Sequence, residues 1–255
     1  MAAVMQSTLT MTPLGELRYG SVPEGELRTW LQACYKVGIP SELETPRIAG
    51  FDDDGHGPNV TRMEYLVIRD LDLKPLEEVQ DDYDGGRQAS TGRIVAYAEF
   101  KYHPMEEAKS DEHANEPTES TSGENDWKFL QPPPSVHNEL RKHWDGVVEA
   151  VLERQFGGMH CFEVRGLSTL SPSHLRKGIA SKLLSWIFPW ADRLNVPVVL
   201  AATPPGYPLY LKHGFVPVGP NGGAIECNMA EWGGSGVHRH ILMMRPPEKK
   251  QPALN

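Results

Sequence analysis

The chain has 255 residues, an apolar share of 39% and a formal net charge of −9. That length can bury a full core and predicts one domain, residues 1–255, carrying an insertion. Cys34, Cys161 and Cys227 lack C-x-x-C spacing, which argues against a disulfide framework and against a zinc cluster.

The charge is concentrated. Between Pro104 and Asp126 eight acids face one base, Lys109, so this stretch carries −7 of the −9 and leaves about −2 elsewhere. A nearly neutral body lacks the basic stripe that phosphate backbones require, so no nucleic-acid partner is expected. Met1 to Met11 has no basic start or long apolar stretch, and no apolar run nears the ~18 residues of a membrane span. No membrane partner and a cytoplasmic location are the expectations.

In chain order, Leu17–Tyr19 predicts a short strand. Pro23–Val37 predicts a helix, with Leu27, Trp30, Leu31, Cys34 and Val37 on one face and Gly38 and Pro40 as its stop. Gly50–Asn59, with Asp52, Asp53 and Asp54, predicts a loop without the acid spacing of a calcium loop. Met63–Arg69 and Arg93–Tyr102 are β-branched and aromatic, and predict two antiparallel strands. Residues 104–135 lose periodicity and end in Pro132-Pro133-Pro134, which predicts a mobile acidic insertion with Trp127, Phe129 and Leu130 available to dock back.

Asn138–Phe156 returns to helical spacing and stops at Gly157-Gly158. His160–Leu170 predicts a strand, with Gly166 marking a bulge or a close approach by a ligand. Leu175–Leu194 predicts one long helix kinked at Pro189. Val196–Ala202 predicts a buried strand parallel to the one before it. Tyr207–His213 reads as a short helix ended by Gly214, and Phe215–Val218 and Val237–Met244 as the last strands. Residues 219–236 read as a glycine-rich loop.

Two motifs carry chemistry. Ser171-Pro-Ser-His-Leu-Arg-Lys-Gly-Ile-Ala-Ser181 lies where a strand passes through a turn into a helix. Unpaired backbone N–H groups there suit a diphosphate. Pro208-Leu-Tyr-Leu-Lys-His-Gly-Phe215 follows about thirty residues on. Together they resemble the GNAT superfamily of acetyl-CoA-dependent N-acetyltransferases over residues 160–218. Its phosphate signature, Gln/Arg-x-x-Gly-x-Gly/Ala, falls on Leu175-Arg176-Lys177-Gly178-Ile179-Ala180, with Leu175 departing from the opening position.

The resemblance implies an α/β (α+β) fold: a mixed, mostly antiparallel twisted sheet, a splayed parallel central strand pair, and flanking helices. It implies acetyl-CoA as cosubstrate, held by Ser168, Thr169 and Leu170 on the strand edge and by Leu175, Arg176, Lys177, Gly178, Ile179, Ala180 and Ser181 on the turn, with no metal. It places Tyr210 as proton donor to the departing thiolate and Glu163 as a candidate base. His160, Glu226 and Glu231 are further candidates for that base. His238 and His240 alternate on the last strand without a third metal ligand. No cysteine or serine stands out as a nucleophile, so transfer is expected in a ternary complex without an acyl-enzyme. The acceptor is expected to be a small amine, selected by residues 38–60, 103–136 and 219–236, and the chain a monomer or homodimer. The rival is a catalytically inactive GNAT-like sensor or interaction module that binds CoA or acyl-CoA.

Overall fold

The computed structural model describes residues 1–43, 45–52, 59–74, 92–105 and 130–248, with the side chains of 37–43 left aside. The aspartates from Asp53 onward, Gly85-Gly86, Trp127, Phe129 and most of the acidic insertion lie outside the described residues.

The N-terminal region is helical. Helix α1 spans Ala2–Leu9 and α2 spans Pro13–Tyr19. The strand expected at Leu17–Tyr19 is the last turn of α2. Its start explains why: Thr12 caps it by accepting from the Gly15 N–H at 3.1 Å, and Pro13 occupies the first turn. Helix α3 spans Glu24–Leu43 and runs through both Gly38 and Pro40. Proline's φ is already helical, and what it forfeits is one i→i−4 bond.

Strands β1 (Arg62–Asp70) and β2 (Arg93–His103) pair antiparallel, as their composition predicts. Helix α4 occupies Asn138–Phe156, with Leu140, Trp144 and Phe156 buried along one side. Strand β3 (Cys161–Thr169) pairs antiparallel with β2. The expected long helix over 175–194 is two short ones, α5 (Ile179–Ser185) and α6 (Phe188–Leu194). Trp186 and Ile187 donate to Leu183 and Leu184, tightening the chain into i→i−3 bonds. Pro189 then sits in the first turn of α6, where a missing N–H costs nothing.

Strand β4 (Val198–Ala202) lies parallel to β3. Helix α7 spans Tyr207–Lys212, β5 Val216–Pro217, β6 Ala224–Asn228 and β7 Val237–Arg245. The loop expected over 219–236 therefore contains a strand, β6, which pairs with β7 along its length. Gly223 permits this. Its φ is +77°, and a Cβ there would stand 2.5 Å from the Val218 carbonyl and 2.7 Å from that of Leu242.

The sheet order is β1-β2-β3-β4-β7-β5, with β6 on β7, and every pairing but β3–β4 is antiparallel. This is a mixed α/β fold with a mostly antiparallel sheet around a parallel pair. One face is apolar. Ala98, Phe100, Phe162, Val198 and Leu200 pack there against Leu183, Leu184, Ile187, Ala191 and Tyr210. On the other face Cys161, Val199 and Leu242 pack under Leu14, Leu140 and Trp144. Ala2, Tyr19, Leu27 and Leu31 form a smaller cluster among α1, α2 and α3. Among the described residues no helix is long and apolar enough to cross a membrane.

Candidate acyl-CoA site at the splayed strands

Strands β3 and β4 pair only at Phe162↔Val198 and Glu163↔Val199, anchored by a 3.0 Å bond from the Phe162 N–H to the Pro197 carbonyl. Beyond that point they part. Both residues of the first pair are fully buried, so the closed end of the V is fixed by the core. Strand β3 meanwhile keeps β2 on its other side up to Thr169. The Leu170 N–H donates to the Val95 carbonyl at 2.7 Å. Antiparallel alternation turns the Ser168 amide the same way and leaves those of Leu167 and Thr169 facing the gap. Of the three residues expected on the open edge, Thr169 alone presents its main chain there. Its hydroxyl is also buried without a hydrogen-bond partner, an orphaned polar atom at the place where an amide-bearing ligand would lie.

Strand β3 carries the bulge that Gly166 suggested. Its register shifts so that Glu99 opposes Gly166 while Phe100 opposes Val164, leaving Arg165 as the extra residue. Arg165 turns outward to pair with Glu99 at 3.1 Å.

The turn after β3 is tied down at several points. The Ser171 N–H donates to Ser7 Oγ at 3.1 Å, and the His174 N–H to the Leu170 carbonyl at 3.0 Å. The buried His174 ring joins Asp70 Oδ2 through Nε2 at 2.9 Å. The chain then takes left-handed φ at Arg176 (60°) and Gly178 (76°) before α5 begins at Ile179. Leu175 therefore lies in the turn. Nothing stands within 4 Å of where a Gly178 Cβ would be, so glycine is there for its backbone angle and for open approach. Among the described residues, the backbone N–H groups of Arg176, Lys177, Gly178, Ile179, Ala180 and Ser181 donate to no backbone carbonyl; the next amide, Lys182, returns to Gly178 at 3.0 Å. Arg176 and Lys177 are exposed beside them. A consecutive run of free donors with two cations alongside could hold a diphosphate.

Tyr210 sits in α7 with its ring edge-on to Phe215, centroids 5.6 Å apart, and is 8% exposed. Burial pushes its phenol well above the usual tyrosine range, so the hydroxyl stays protonated. Glu163 lies on the face of the sheet opposite Phe162. Burial works against its charge, but the 2.8 Å bond from His103 Nε2, with Arg165 and Lys101 nearby, outweighs that and holds the carboxyl below the usual range. His160 points the other way, its Nε2 2.6 Å from the Tyr102 hydroxyl, and burial lowers its pKa.

The other candidates for a base are engaged away from the gap. Glu226 pairs with Arg239 across β6–β7, and Glu231 accepts from Asn228 Nδ2 at 2.8 Å. His238 is buried, and both it and His240 pack against Trp144, ring centroids 5.4 and 4.9 Å away. Among the described residues no group of three or more His, Cys, Asp or Glu side chains could hold a metal.

Two contacts were not legible in the chain order: His103 and Asp70 come from other strands to meet Glu163 and His174, and His174 was read only as part of a motif. Ser173 Oγ lies 2.8 Å from His174 Nδ1, on the ring that Asp70 holds from its far side.

No family model matches the chain, and no curated protein matches it. Solved structures similar to it include an N-acetyltransferase from Staphylococcus aureus Mu50, 12% identical, covering 95% of this chain and 94% of that one with a TM-score of 0.40. Another is yncA from Salmonella typhimurium, described as a putative acetyltransferase with its cofactor acetyl-CoA, at 12% identity, 100% and 91% coverage and a TM-score of 0.35. A third is Naa20 from Chaetomium thermophilum with a bisubstrate analogue, at 15% identity and a TM-score of 0.32; 63% of this chain is covered, and 64% of that one. At scores of this size the likeness carries no weight of its own, and the functional reading stands on the strand gap and the turn.

Proposed function

We propose that the chain is an acetyl-CoA-dependent N-acetyltransferase that passes the acetyl group directly to the amine of a small molecule. The observation that carries this reading is the run of unpartnered amides from Arg176 to Ser181 at the open end of a parting strand pair. The diphosphate seats on those amides, with Arg176 and Lys177 adding charge. The pantetheine arm lies along β3, where Thr169 offers main-chain groups and an unsatisfied hydroxyl and Ser168 and Leu170 shape the same edge. Leu175 supports the turn.

Within the ternary complex the attacking amine must shed a proton. Glu163 holds the His103 imidazole by hydrogen bond, and this base-and-orienter pair takes the proton directly or through one water. A gap-facing amide of β3 steadies the tetrahedral oxyanion. Tyr210, kept protonated by burial, delivers a proton to the departing thiolate.

Two measurements test this. Acetyl-CoA at millimolar concentration raises the melting temperature, because a ligand of the native state stabilises it by mass action. No shift overturns the reading. In a thiol-release assay across a panel of amines, Tyr210→Phe lowers turnover by about 10²-fold while acetyl-CoA affinity holds. Thermal protection without thiol release from any amine favours the inactive sensor instead.

A further inference from the structure

Ser173, His174 and Asp70 form a connected set that acetyl transfer does not use. The Asp70 carboxylate is fixed on both oxygens: Oδ1 accepts from the Asp72 N–H at 3.0 Å, and Oδ2 stands 2.9 Å from His174 Nε2. Asp70 ends β1 and His174 lies 104 positions further along the chain, so this contact belongs to the tertiary fold. An ionised carboxylate only accepts, so Nε2 carries a hydrogen, and in the neutral imidazole Nδ1 keeps its lone pair. That lone pair faces Ser173 Oγ at 2.8 Å. His174 is 6% exposed, whereas Ser173 is open to solvent. A hydroxyl on a base of fixed tautomer, which is itself oriented by a buttressed carboxylate, is the arrangement of an activated serine. A merely structural histidine needs no exposed hydroxyl on its second nitrogen.

We propose that Ser173 is a nucleophile, activated by His174 and oriented through Asp70, that gives this protein an esterase activity toward small activated carboxylic esters. Ser173 Oγ attacks the ester carbonyl carbon as its proton passes to His174 Nδ1. The C–O bond to the alcohol breaks, and the alcohol leaves with that proton. Water then attacks the acyl-serine with the same imidazole as base. This releases the carboxylic acid and restores the hydroxyl, so one water is consumed per ester. The unpartnered amides that begin three positions on, at Arg176, are the candidate donors for the transient oxyanion. The proposal does not depend on the acetyltransferase reading, and its tests contain no CoA.

The full-length protein is incubated with a fluorophosphonate probe, which phosphonylates activated serines, and the label is placed by peptide mass mapping. Ser173 is labelled, p-nitrophenyl acetate is hydrolysed, and Ser173→Ala, a substitution at an exposed position, loses both. His174→Gln slows labelling by about 100-fold. Should that buried substitution fail to fold, Asp70→Asn at the end of β1 stands in for it and slows labelling at least about tenfold by releasing the ring's orientation. Circular dichroism reports folding of each variant. An unlabelled Ser173 in the folded protein overturns the proposal. Labelling that proceeds at the same rate in a folded His174→Gln or Asp70→Asn protein overturns it equally.

Discussion

The two edges of β3 are built to opposite ends. Toward β2 the strand is paired from Cys161 to Thr169, interrupted only by the bulge; toward β4 it is paired at two positions and then left open. A sheet normally satisfies both sides of an inner strand, because unpaired amides are expensive to leave. Here the same strand is anchored on one side and held ready on the other. The lesson is that the fold leaves main-chain donors and acceptors unpaired on one edge of a strand whose other edge it secures. The continuous ladder beside them keeps the open edge straight.

The largest effect that would break this contrast is a proline on the anchored side. Ser168→Pro removes an amide aimed at β2 and leaves its acceptor without a partner, which costs about 2–3 kcal/mol in a urea melt. Leu167→Pro removes an amide that faces the gap, and its cost is smaller. Equal losses would mean that the two edges are not distinct.

Strand β7, paired with β4 on one side and with β5 and β6 on the other, offers a second contrast, since both of its edges are closed. Burial, with His238 and Arg18 adding to it, lowers the His240 pKa to about 3 from an ordinary 6.5. A depressed folded value means that the native state stays neutral while the unfolded chain takes up a proton. This contribution is whole above about pH 6.5 and drains as pH falls toward 3. Between about pH 7 and about pH 5 it amounts to roughly 2 kcal/mol. Urea midpoints measured across that interval show the slope, and His240→Gln flattens it.

Smaller still is Thr169→Val. The isosteric change removes a buried hydroxyl that has no partner, so the unliganded protein gains about 1 kcal/mol. Acetyl-CoA affinity falls if the hydroxyl serves the ligand, and calorimetry separates the two effects. Least of all, Arg239→Ala at the surface pair with Glu226 changes stability by about 0.5 kcal/mol or less. That tests whether β6 is held by its ladder rather than by its charges.

Much of the architecture was legible because it is local. Helix α4 falls on the residues whose spacing predicted it, and β1, β2, β3 and the turn stand where composition put them. The errors also share a cause. Leu17–Tyr19 looks extended only if the Thr12-Pro13 start upstream is overlooked. Residues 175–194 keep helical spacing across the break at Trp186, because two consecutive short helices can share one apolar side. Strand β6 hides among glycines, and only pairing with β7 makes Gly223 a close approach rather than a breaker. The site divides in the same way. Gly178 and its neighbours announce themselves, since the backbone angle is written in the residue type. Asp70 with His174, and His103 with Glu163, are pairings across 104 and 60 positions, which no window of sequence holds.

The extra residue at Arg165 has one more consequence. Glu163 and Thr169 are separated by an even number of steps, so on an unbroken strand both would look the same way. The inserted residue reverses the phase. Glu163 lies beside Lys101, while Thr169 lies beside Ala96, one position out of step along β2. A single strand thus shows a carboxylate to one side of the sheet and a hydroxyl to the other. Deleting Arg165 would bring them onto a common side.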